Sequence, residues 1–62
     1  MIIQVYKKTQ YPDEKPSREF NNISWFEIIN NTIYCNRYGE ELTIDIDFES
    51  ESYFIKPNSA GV

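Results

Sequence analysis

Trp25-Phe26-Glu27-Ile28-Ile29-Asn30-Asn31-Thr32-Ile33-Tyr34-Cys35-Asn36 has the pattern of a β-hairpin. Two runs of β-branched and aromatic residues flank a pair of asparagines, and asparagine accepts a positive φ more readily than any residue but glycine. Asn30-Asn31 therefore reads as a two-residue type I′ hairpin turn. Such a turn fixes the register so that position i meets position 61 − i. Phe26 then faces Cys35 and Ile28 faces Ile33 on one side of the hairpin. Trp25 faces Asn36 and Glu27 faces Tyr34 on the other.

Working toward the C-terminus, Asn36 to Glu41 is a connection in which Gly39 is the natural occupant of a left-handed backbone position. Beyond it Leu42, Ile44, Ile46 and Phe48 alternate with Thr43, Asp45, Asp47 and Glu49, the period-two pattern of a half-buried strand. Ser50-Glu51 reads as a second tight turn leading to a strand over Ser52 to Lys56. In that register Phe48 meets Tyr53 and Ile46 meets Ile55 inside, with Phe54 opposite Asp47 outside.

Toward the N-terminus, Ile2 to Thr9 is a strand with Ile3 and Val5 on one side and Gln4, Tyr6 and Lys8 on the other. Gln10 to Glu19 carries two prolines and five charges and reads as a loop. A short helical turn over Ser17 to Asn22 is the alternative for its end. The expected fold is all-β: an antiparallel meander of about five strands, as a curled sheet or small open barrel. One β domain spans residues 1–56 and residues 57–62 form a tail.

A chain of 62 residues buries only about 60% of its unfolded surface, so its core must be thin. Ten acids against six bases give a net charge of −4, which counts against a general nucleic-acid or anionic-membrane binder. The absence of histidine removes histidine-based catalysis and histidine-ligated metal. A single cysteine, Cys35, closes no intramolecular disulfide, and no apolar run approaches a membrane span, so a cytoplasmic location is expected. Cys35 should point inward, where a thiol is a small hydrophobe with a raised pKa. These features argue for a non-enzymatic protein with no cofactor and no metal.

Charge is sorted along the chain. Residues 1–18 hold four bases and two acids, whereas residues 19–62 hold two bases and eight acids. The densest acidity is Asp45, Asp47 and Glu49, three carboxylates spaced by two residues, roughly 7 Å apart along one strand face. Three readings compete for this strand. One is a solvated face whose charges discourage edge-to-edge aggregation. A hard-metal or catalytic site is the second, disfavoured because same-face positions on a flat strand diverge. The third is a row of carboxylates that occupy sites meant for phosphates on a basic protein surface. Beside them on the outward set lie Glu27, Trp25, Tyr34 and Phe54, the composition of a binding hot spot. Stacking of single-stranded nucleic acid on these aromatics is disfavoured by their carboxylate neighbours, so no direct nucleic-acid contact is expected. The competing readings of the outward aromatics are cover by the N-terminal strand or the 10–19 loop and pairing with a second copy as a homodimer.

Phe20 to Lys56 holds an Ile-x-Trp-Phe-Glu-Ile hairpin, an Asn-Asn turn, a Tyr-Gly-Glu-Glu connection and a Leu-Thr-Ile-Asp-Ile strand. In these features it resembles small β proteins encoded by phages and prophages of low-GC Gram-positive bacteria. The abundance of Ile, Asn, Tyr, Phe and Lys over Leu and Ala fits an AT-rich gene. The resemblance implies an accessory protein that binds a host protein, such as an inhibitor of a restriction or CRISPR system. It assigns no individual residue a role.

Overall fold

The computed structural model describes residues 1–11 and 14–57, so residues 58–62 of the expected tail and residues 12 and 13 of the expected loop lie outside it. Six strands follow in order: β1 (Ile2–Lys7), β2 (Arg18–Phe20), β3 (Ile23–Ile29), β4 (Thr32–Arg37), β5 (Glu40–Asp45) and β6 (Glu51–Lys56). The fold is all-β, with every strand pair antiparallel and no helix among the described residues. The strands divide into two three-stranded sheets, ordered β2-β1-β6 and β3-β4-β5.

The β3-β4 hairpin has the expected register: Trp25↔Asn36, Phe26↔Cys35, Glu27↔Tyr34 and Ile28↔Ile33. Its turn differs in detail. Positive φ is confined to Asn30 (56°), which is the φ pattern of a type II′ turn. Both central residues are positive in the next turn, at Tyr38 (55°) and Gly39 (79°), and Arg37↔Glu40 closes it directly. The connection is therefore two residues long, because the type I′ twist matches that of the flanking strands. At the other end of β3 the register slips between Ile23 and Trp25, leaving Ser24 as the extra residue of a β-bulge. The bulge is why Ile23 is buried while Trp25, of the same parity, faces outward.

Three expectations are corrected. β5 stops at Asp45, and the next turn runs over Asp47 to Ser50, closed by the Ser50 and Glu51 N–H groups donating to the Asp47 carbonyl (2.9 and 2.7 Å). The Asp47 carboxylate drives this turn. It accepts from the Glu49 N–H (3.1 Å) and the Ser50 hydroxyl (2.9 Å), the local bonding by which aspartate competes with a strand ladder. Secondly, β6 crosses to the other sheet and pairs with β1 rather than with β5, so Phe54 lies opposite Gln4, not Asp47. Thirdly, Ser17 to Asn22 contains β2 and no helical turn; Asn22, at a φ of 61°, ends the strand before β3.

The inward faces of the two sheets share one core: Ile3 and Val5 from β1, Ile23 from β3, Ile33 and Cys35 from β4, and Ile44 and Ile46 from β5 and the residue after it. Phe20, Phe26, Phe48 and Tyr53 pack around it half-buried. Phe48, in the turn after β5, and Tyr53 of β6 meet at a ring-centroid distance of 6.1 Å although β5 and β6 do not pair. Two links tie the sheets together. The Met1 ammonium donates to the Ile23 carbonyl (2.7 Å) and the Ile23 N–H to the Met1 carbonyl (2.8 Å). Arg18 of β2 pairs with Glu51 of β6 (3.1 Å) and donates to the Asp45 carbonyl (2.9 Å).

Candidate functional site

Alternation from the Asn30-Asn31 turn sets what the β3-β4-β5 sheet shows to solvent. Its three outward rows follow from the pairing: Trp25, Asn36 and Glu41; Glu27, Tyr34 and Thr43; Ile29, Thr32 and Asp45. Tyr34 stands at the centre on the middle strand. Trp25 (48% exposed) and Ile29 (48%) fill two corners, and Tyr34 itself is 41% exposed. The carboxylates of Glu27, Glu41 and Asp45 surround this apolar centre, and the nine positions include no basic residue. Glu41 and Asp45, four residues apart on β5, are roughly 13 Å from each other by strand rise.

This face brings together Trp25, Tyr34, Glu27 and Asp45 of the expected site. Asp47 and Glu49 are not on it. They belong to the turn after β5, where the Asp47 side chain is engaged by its neighbours. The row of three carboxylates along one strand is thus replaced by three carboxylates spread over two strands around an aromatic centre. Asp45 also accepts the Thr32 hydroxyl (2.9 Å) across the sheet, which orients its carboxylate. Alternation alone could have yielded both Ile29 and Glu41 as members of the face, Ile29 from the hairpin register and Glu41 from carrying the outward parity of Thr43 and Asp45 back two residues.

Phe54 is on the far side of the molecule. It lies on the outward face of the β2-β1-β6 sheet, 50% exposed, with Tyr6 edge-on to it at a centroid distance of 5.5 Å and an interplanar angle of 81°. Gln4, also on this face, donates from Nε2 to Glu19 (2.7 Å), while its Oε1 is buried without a partner.

Two ionisable groups are shifted. Burial pushes the Cys35 thiol up, with the Arg37 charge opposing, and its Sγ donates to the Leu42 carbonyl (3.4 Å). The Asp47 N–H bonded to the Glu51 carboxylate is the main cause holding that group below the usual value, and Arg18 adds to it against partial burial. Both serve the fold rather than an exposed site. Among the described residues no three Asp, Glu or Cys side chains converge on a position for a metal ion.

No family model, no curated protein and no solved structure matches this chain. Its function has to be argued from its two outward faces.

Proposed function

We propose that this protein is a non-enzymatic protein-binding module whose β3-β4-β5 face docks on a basic protein surface. The observation that carries the reading is the composition of that face: Tyr34 exposed at its centre, Trp25 and Ile29 exposed at two corners, the carboxylates of Glu27, Glu41 and Asp45 beside them, and no base. A rigid sheet presents these groups without the ordering cost of a loop, and exposed Trp and Tyr supply apolar area at low entropy cost. The carboxylates select a basic partner and steer its approach. A nucleic-acid-binding protein offers such a surface, and a phage-encoded inhibitor of a host defence protein is the form of this function that the sequence resemblance supports.

The test uses Glu27→Lys/Glu41→Lys, two exposed carboxylates outside the hydrogen-bond network described above, and Trp25→Ala in parallel. Affinity capture from lysate of a low-GC Gram-positive host, repeated at rising salt, should yield a partner that wild type holds and loses steeply with ionic strength. Both variants should fail to hold it. A partner retained equally by the charge-reversed protein refutes the proposal. A tight dimer by light scattering that Trp25→Ala dissolves would instead make the face a self-association surface.

A further inference from the structure

The outward face of the β2-β1-β6 sheet carries the opposite charge to the site just described. Tyr6 and Phe54 floor an open groove of about 450 Å³, with Lys7 and Lys8 at one end and Lys56 at the other. Three of the chain's six bases line this groove, and among the described residues no acid does. The carboxylates of this sheet are engaged elsewhere: Glu19 is held by Gln4 on the adjoining strand, and Glu51, the register partner of Lys7, is paired with Arg18.

Carboxylate neighbours disfavour nucleic-acid stacking on the aromatics of the β3-β4-β5 face. Tertiary structure removes that obstacle for the β2-β1-β6 face, because β6 pairs with β1 and carries Phe54 away from Asp45 and Asp47. The acidic face belongs to the other sheet, which packs on this one through their shared core, and packed sheets lie about 10 Å apart between backbones and farther between outward side-chain tips. At physiological salt the screening length is about 8 Å, so the groove experiences its own lysines more than the distant carboxylates.

We infer that this groove binds a short single-stranded stretch of nucleic acid. A base stacks on the exposed face of Phe54, beside the edge-on Tyr6, while backbone phosphates reach the lysines at either end. From Ser52 to Lys56 the strand spans roughly 13 Å, enough for about two nucleotides. The groove is open rather than enclosed, which suits a polymer held through several weak contacts. A free mononucleotide would need most of its surface buried. The acidic face does not take part, so this inference stands apart from the protein-docking reading.

Fluorescence anisotropy of the full chain with a labelled single-stranded oligothymidylate at low salt tests it. Wild type should bind, with log K falling against log salt at a slope of about −2 for three lysine contacts. Phe54→Leu keeps the aliphatic bulk and removes the ring; binding should weaken about ten-fold or more. Lys8→Glu/Lys56→Glu should abolish binding, whereas Trp25→Ala, on the other face, should leave it unchanged. Circular dichroism establishes that each variant is folded. Absence of binding by wild type overturns the inference, as does equal binding by Phe54→Leu. Inorganic polyphosphate competing as well as the oligonucleotide would reduce the groove to a non-specific anion patch. A mononucleotide competing equally, nucleotide for nucleotide, would replace the strand with a small-molecule ligand. Loss of partner capture by Glu27→Lys/Glu41→Lys with oligonucleotide binding intact would separate the two faces.

Discussion

Replacing Ile33 with alanine is the sharpest test of the two-sheet core. Ile33 is fully buried on the central strand of its sheet, directly between Ile28 and Ile44. Truncation to alanine leaves a cavity that the flanking strands can only partly collapse, at a cost of about 2–5 kcal/mol. A chain of 62 residues holds on the order of 3–9 kcal/mol in total, so Ile33→Ala should remove half or more of the stability. Ile33→Val should cost about 0.5–1.5 kcal/mol. The control is Ile29→Ala, the same side-chain change at a position 48% exposed on the outer face, where the loss should stay below about 1 kcal/mol. Urea unfolding followed by far-ultraviolet circular dichroism and Trp25 fluorescence measures all three, with trimethylamine oxide added if Ile33→Ala is too unstable for a native baseline. Equal losses for Ile33→Ala and Ile29→Ala would mean that Ile33 does not sit between two packed sheets, and the architecture would be wrong.

Glu51 predicts an acid-sensitive link. Its folded pKa is depressed by the Asp47 N–H and Arg18, so its contribution is complete above the ordinary glutamate pKa of about 4.3 and is lost as pH falls through the folded value. The melting temperature of wild type should therefore exceed that of Glu51→Gln at neutral pH, and the gap should close on acidification; a gap independent of pH contradicts this. Gly39→Ala should cost about 1 kcal/mol through backbone strain alone, since φ is +79° and an added Cβ would meet nothing within 4 Å. Thermal melts measure it, and no change would argue against the left-handed turn. Cys35, 1% exposed with its thiol raised by burial, should react with a thiol reagent only at the rate of unfolding. Rapid stoichiometric labelling of the native protein would place it elsewhere.

Much of one sheet was legible in the residues. The Asn30-Asn31 turn fixed the facing pairs of β3 and β4, and alternation assigned Trp25, Glu27 and Tyr34 outward and Phe26, Ile33 and Cys35 inward. Both readings are local, because a two-residue turn and a period of two need no knowledge of the rest of the chain. The bulge at Ser24 was less visible, since Ile23 and Trp25 share a parity and only packing against Met1 and the core decides that they face opposite ways.

Local pattern specifies an all-β chain, the β3-β4 register and an acidic C-terminal part. The partner of β6 is chosen by packing. Alternation reads the same whether Ser52 to Lys56 pairs with β5 or with β1, so strand pattern cannot choose between them. The Asp47-centred turn ends β5 early and sends the chain to the other layer, where β1 has a free edge and Val5 and Ile3 lie level with Tyr53 and Ile55. That crossing separates Phe54 from Trp25 and Tyr34, and places an acidic aromatic face and a basic aromatic groove on opposite sides of the molecule.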